Sequence, residues 1–180
     1  CRASGVQGSG VNARITLAGM LLGVIAMAVA AWVKPVLRIV YNASDSAPRG
    51  WYSVVQSRHF RVGDYVVARL PEDVAALAGR RGYLPRSVPV LKRIAAVSGQ
   101  RVCVRDGVVA IDGAVVARTL DVDWNRRPLT AWLHCRRLVG GEIFLLNPAA
   151  PASFDSRYFG PIDVSFVRGR AVRLATIQRQ

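Results

Sequence analysis

The sequence predicts a mainly β body behind one N-terminal membrane-spanning helix, and three observations predict it. Residues 15–33 form an uncharged apolar run. From residue 50 onward, short runs rich in Val, Ile and Tyr recur between turns bearing Gly, Pro and Asp. Two Asp-Gly pairs, Asp106-Gly107 and Asp112-Gly113, separate three of these runs as hairpin signals. A chain of 180 residues, 52% of them hydrophobic, has material for one cored domain and a small extra element. The expected division is a tail over 1–14, an anchor over 15–33 and a β domain over 34–180.

The anchor rests on length and flanks. About 19 helical residues cross a hydrocarbon core of ~30 Å. Arg14 flanks the run on one side, Trp32 and Lys34 flank it on the other as interface anchors, and Pro35 helps end the helix. Basic residues are balanced across the run (Arg2 and Arg14 before, Lys34 and Arg38 after), so charge leaves orientation open. Ala26-Met27-Ala28 and Ala28-Val29-Ala30 also fit the cleavage site of a removed signal peptide; the length of the run favours an uncleaved anchor. Gly19 and Gly23 form a GxxxG pair, which a Gly/Ala-rich span explains equally well.

Beyond the anchor, strands are expected over 51–56, 64–70 and 88–97. A short helix is expected over 71–79, with Pro at its start and Gly at its end. Residues 80–87 read as a basic loop. Strands over 101–105, 108–111 and 114–117 are joined by the two Asp-Gly turns. Residues 121–137 are polar and irregular, 142–147 is a strand, and 164–174 holds one or two more. The pattern predicts antiparallel sheets or a folded barrel.

The balance of 25 basic against 11 acidic residues, net +14, favours anionic partners. The arginines are scattered in pairs such as Arg80-Arg81 and Arg126-Arg127, with no zinc-finger spacing and no aromatic RNA-binding signature. Acidic membrane lipid is therefore the expected counterpart, and no specific nucleic acid is expected. No Walker or dinucleotide loop appears, so no cofactor is expected. His59 and His134 are isolated and lack ligand spacing, which predicts no metal site.

Two residues carry the chemistry. Ser46 lies in Ser44-Asp45-Ser46-Ala47-Pro48-Arg49-Gly50, a tight turn able to expose a hydroxyl. Lys92 lies in the apolar run 88–97, where alternation places it with Val90 and Ile94 and opposite Arg93. A serine needs a base to become a nucleophile, and a lysine desolvated by apolar neighbours supplies one. Each has a plainer reading: an ordinary Ser-Asp-Ser turn after a helix, and a lysine guarding an exposed edge strand. About a dozen residues separate Val33 from Ser46. At ~3.5 Å each that holds the serine close to the bilayer surface.

The order of four stretches resembles the bacterial type I signal peptidase superfamily, in particular the TraF-like branch that processes conjugative pilus proteins. The turn at 44–50 is similar to that branch's SxPxG motif, and Arg61-Val62-Gly63-Asp64-Tyr65-Val66-Val67 to the family's GD strand. Leu91-Lys92-Arg93-Ile94-Ala95-Ala96-Val97-Ser98-Gly99-Gln100 resembles the lysine motif, and Ser153-Phe154-Asp155-Ser156-Arg157-Tyr158-Phe159-Gly160 the closing SxDSRYxG box. The resemblance implies a signal-peptidase-like catalytic domain on the periplasmic side of the inner membrane. Ser46 would be the nucleophile, Lys92 the base, and Ser44 with the Ser46 backbone N–H the oxyanion hole. Ser153 would orient the lysine, and Asp155 with Arg157 would form a structural ion pair. The substrate it implies is an exported precursor polypeptide, a pilin or a leader-bearing protein, cut by hydrolysis or released as a cycle. Departures at Ser98-Gly99-Gln100 and at Asn147-Pro148-Ala149-Ala150-Pro151 argue against housekeeping specificity.

Cys103 lies before the irregular stretch and Cys135 near its far end. In an oxidising periplasm they pair and staple it; two buried free thiols are the other reading, and Cys1 is left over. Competing with the peptidase are a general leader peptidase, a non-enzymatic anchored scaffold of a conjugation or secretion apparatus, and a cytosolic self-cleaving repressor-type protease, against which the anchor argues.

Overall fold

The computed structural model describes residues 12–32 and 38–174, which fall in two units, Cys1–Val36 and Leu37–Gln180. In the first unit, Ala13–Trp32 form helix α1. Its apolar residues recur on every side, and an 18-residue stretch, Ala13–Ala30, has a mean hydropathy of 2.0. At ~1.5 Å per residue, its 20 residues match the ~30 Å bilayer core. The helix begins slightly before the expected residue 15, because the Asn12 carbonyl accepts from the N–H groups of Ile15 and Thr16. The stop expected at Lys34 and Pro35, and most of the tail with Cys1, lie outside the described residues.

The second unit is mainly β. Its strands are β1 (Ile39–Asn42), β2 (Gly50–Val55), β3 (Tyr65–Ala68), β4 (Val90–Val97), β5 (Arg101–Arg105), β6 (Val108–Ile111), β7 (Ala114–Arg118), β8 (Cys135–Arg137), β9 (Glu142–Leu145), β10 (Ile162–Asp163) and β11 (Val167–Arg173). Helices α2 (Glu72–Arg80) and α3 (Ser156–Phe159) interrupt them. One sheet has the order β1-β2-β11-β3-β4-β9-β10 and the other β7-β6-β5-β8, with every pair antiparallel.

Local chemistry accounts for most of these elements. Asp106 and Gly107, then Asp112 and Gly113, all take positive φ, the turn conformation whose twist suits a two-residue hairpin. Helix α2 has Pro71 at its N-cap, Glu72 and Asp73 in its first turn and Arg80 in its last, so its ends complement its dipole. Strand β4 is interior, between β3 and β9. Its alternation buries Lys92, Ile94 and Ala96 while Arg93 stays exposed, which removes the edge-strand reading of Lys92. Ile94 packs with Val66, Ile143 and Leu145, while Ala96 joins Val102, Val104 and Phe144 in a second cluster. The strand thus carries one residue of the site and links two parts of the core.

Four elements depart from expectation. β1, α3 and β10 were unforeseen, and the irregular stretch 121–137 ends in β8. Cys135 pairs directly opposite Cys103 across β5 and β8, and the two sulfurs are bonded. Residues 164–174 hold a short 3-10 turn and then the one strand β11.

Candidate active site

Ser46 sits in the connection from β1 to β2, and two asparagines shape that turn. Asn42, buried at the end of β1, donates through Nδ2 to the carbonyls of Ser44 (2.9 Å), Ala47 (2.8 Å) and Pro48 (3.2 Å). The Tyr52 hydroxyl donates to the Pro48 carbonyl at 2.7 Å. From across the site, Asn147 Nδ2 donates to the Ser46 carbonyl at 2.9 Å. Gly50, with φ of 139°, closes the turn in a region that side chains other than hydrogen disfavour.

The hydroxyls of this turn have a definite direction. Ser44 Oγ donates to Asn42 Oδ1 at 2.8 Å, and Ser44 Oγ and Ser46 Oγ are also 2.8 Å apart. A hydroxyl has one hydrogen. Since Ser44 gives its own to Asn42, Ser46 is the donor to Ser44. The Ser46 backbone N–H has no acceptor among the described residues.

Lys92 is 6% exposed and lies opposite Val66 of β3. Burial lowers its pKa from 10.5 to about 8; the Asp155 carboxylate raises it, and the Arg157 guanidinium adds a smaller lowering. Lys92 Nζ bonds Ser153 Oγ at 2.5 Å. No hydrogen bond joins Lys92 to Ser46 among the described residues. Each is held by another serine, and both line one cleft of about 640 Å³ together with Ser44 and Ser153.

The segment carrying Ser153 is tied down from beneath. Arg157, 1% exposed, meets the fully buried Asp155 through two bonds, Nε to Oδ1 at 2.8 Å and Nη2 to Oδ2 at 2.9 Å. The same guanidinium donates to the carbonyls of Ala150 (2.8 Å), Ser153 (3.2 Å) and Arg118 (3.0 Å). Ser156 Oγ accepts from the Leu145 N–H at 2.9 Å, binding the segment to β9. A charge buried this way is tolerable because its pairing is bidentate and its remaining donors are satisfied. The predicted set of Ser44, Ser46, Lys92, Ser153, Asp155 and Arg157 thus falls in one region. Sequence reasoning missed Asn42, Asn147 and Ser156. Asn42-Ala43-Ser44 and Asn147-Pro148-Ala149 each carried a local signal, that of an Asx turn, but neither signal pointed to Ser46. His59 lies in the Ser57–His59 turn and His134 stacks on Trp132; neither lines the cleft. Among the described residues no cluster of three or more His, Cys, Asp or Glu could hold a metal.

Residues 12–175 match the family described as "Signal peptidase, peptidase S26". The chain belongs to the signal peptidase family, in its TraF-like branch. A probable conjugal transfer protein TraF of Sinorhizobium fredii is 33% identical over 171 residues, covering 89% of this chain and 87% of that protein. The conjugal transfer protein TraF of Agrobacterium tumefaciens is 34% identical over 131 residues, covering 67% and 73%. The plasmid transfer protein TraF of Escherichia coli is 28% identical over 134 residues, covering 69% and 75%. Among solved structures, a signal peptidase I from Enterococcus faecalis aligns with a TM-score of 0.39 at 22% identity, covering 64% of this chain and 98% of that one. Signal peptidase membership carries with it a polypeptide substrate, and the apolar helix α1 is consistent with membrane anchoring.

Proposed function

We propose that this signal peptidase relative is a Ser–Lys endopeptidase, held in the bacterial inner membrane by α1 with its β body in the periplasm, that processes an exported precursor. A conjugative pilin is the favoured substrate, in keeping with the transfer-protein names of its relatives. The observation that carries the reading is Lys92. It is a lysine buried in an interior strand, lowered to about 8, on the same cleft as Ser46.

The chemistry follows from that placement. Lys92 Nζ, in its neutral form, takes the Ser46 hydroxyl proton as Oγ attacks the scissile carbonyl. The Ser46 N–H donates to the oxyanion, and the Ser44 hydroxyl joins it by turning its one hydrogen away from Asn42 Oδ1. Lys92 returns the proton to the leaving amine as the C–N bond breaks, which leaves an acyl-enzyme on Ser46. Water, with Lys92 again the base, releases an acid; an amine of the same product would release a cycle instead. Strand β1 ends the seven-stranded sheet, and its outer edge, unpaired among the described residues, suits a substrate bound as an added strand.

The test is cleavage of a co-expressed pilin precursor by wild type, Ser46→Ala and Lys92→Met, read by intact mass. Shortening by wild type alone supports the dyad, and product mass separates hydrolysis from cyclisation. Cleavage retained by Ser46→Ala sinks it. Equal inactivity of all three, folded and inserted, favours the scaffold reading for that precursor.

A further inference from the structure

The cleft extends well past the two candidate catalytic side chains. At the end where Ser153 holds Lys92, its wall is aromatic: Tyr83, Trp124 and Phe154. Phe154 directly follows Ser153 in the chain. Tyr83 is the hub, with ring centroids 4.7 Å from Trp124 and 5.1 Å from Phe154. Phe154 in turn lies parallel to Tyr158 at 5.9 Å. Three separate segments, from positions far apart in sequence, therefore meet in one surface.

Trp124 is the unusual member. It remains 62% exposed on a loop with no regular secondary structure. The loop is nevertheless fixed, by the buried carboxylate next to the tryptophan. Asp123 Oδ2 accepts from the Tyr83 hydroxyl (2.6 Å) and Arg127 Nε (2.7 Å), and Oδ1 from the N–H groups of Asn125 (2.8 Å) and Arg127 (2.9 Å). Burial pushes this carboxyl up, but those donors more than offset it and hold it well below the usual carboxylate range. Arg127 Nη2 reaches the Arg81 carbonyl at 2.7 Å, and Arg81 Nη1 reaches the Pro128 carbonyl at 2.9 Å. The two loops flanking the wall are thus cross-tied by a charged, fully bonded centre. An indole held open on a rigid mount, in a cleft continuous with the candidate active site, is preorganised for an apolar partner.

We propose that Tyr83, Trp124 and Phe154 form a second subsite of the cleft, which binds a bulky apolar side chain of the polypeptide substrate at a fixed distance from the bond cut. This deepens the peptidase reading above and rests on it. Specificity then has two parts: small residues at the cut itself, and a large aromatic or branched side chain against the wall. Trp124 supplies the contact, and Asp123 with Arg127 acts as a positioning pair.

The test uses the full chain in detergent and synthetic decapeptides of alanine and valine in which one phenylalanine is moved position by position. With the Ser46→Ala protein, one phenylalanine position should tighten binding about tenfold or more over the peptide lacking it, a gain in the range of burying one aromatic ring. Binding should shift tryptophan emission to the blue, and Trp124→Phe should lose that shift. Trp124→Ala, at an exposed position, should keep its melting temperature and lose the positional preference. A preference absent in the Ser46→Ala protein, or unchanged in Trp124→Ala, overturns the subsite. Cleavage of the same peptides by the Ser46-bearing chain is scored separately. Positional binding without cleavage supports the wall and sinks the peptidase reading, whereas cleavage indifferent to the phenylalanine sinks the wall alone.

Discussion

Replacing Lys92 by methionine should abolish cleavage and at the same time stabilise the protein at neutral pH. Methionine has a similar reach and no charge to desolvate. In the folded chain the Lys92 pKa is lowered from 10.5 to about 8. That is about 2.5 pH units, which at ~1.36 kcal/mol per unit places the cost of keeping Lys92 protonated in the fold near 3 kcal/mol. Methionine removes this cost but leaves Ser153 Oγ without its partner, a loss of about 1 kcal/mol. The expected net gain is about 2 kcal/mol, a rise of several degrees in melting temperature for a domain of this size. The pH dependence is the sharper check. Between the folded value near 8 and the unfolded value of 10.5 the unfolded chain binds more protons, so stability of the lysine protein rises with pH across that window. The methionine protein has no such rise, and its advantage should shrink from pH 7 to pH 10. Urea unfolding of the full chain in detergent, followed by tryptophan fluorescence at both pH values, measures this. A variant less stable at pH 7, or one whose advantage is the same at pH 10, refutes the desolvation argument.

Three further outcomes are expected. The kcat/KM for precursor cleavage should climb about tenfold per pH unit and level off above pH about 8, since only neutral Lys92 serves as base; a profile turning near the ordinary histidine range would point away from Lys92. Arg157→Met strands the buried Asp155 carboxylate and should cost about 3–5 kcal/mol in urea unfolding, and loss of under 1 kcal/mol would show that the pair is dispensable. Cys135→Ser opens a link across 32 residues and should cost about 4 kcal/mol by loop closure, with an unchanged unfolding midpoint counting against it.

The parts of the fold readable from sequence were those set by near neighbours. The Asp-Gly turns, the ends of α2 and the alternation around Lys92 each declare themselves within a few residues. β8 does not, because Cys135-Arg136-Arg137 is a strand only by virtue of facing β5. α3 is a single short turn whose cap, the Asp155 side chain, is shared with the Arg157 ion pair. The candidate site divides the same way. Ser46, Lys92 and Ser153 stood out through motif order, whereas Asn147 acts on Ser46 across 101 positions of chain. The aromatic wall joins residues from three loops and has no local signature at all.

The hydrogen-bond direction imposed by Asn42 works as a safety catch. On the dyad reading, the Ser46 proton rests on Ser44 rather than facing Lys92, while Lys92 donates to Ser153 and, when neutral, keeps its lone pair free. On that reading the Ser46 hydroxyl must turn from Ser44 before its proton can move, and a peptide filling the cleft would supply the contacts that release it. A chain that merely brushes the site leaves the catch engaged. On that reading, discrimination of this kind falls on turnover more than on affinity, which would suit a peptidase placed among apolar segments that it must leave intact.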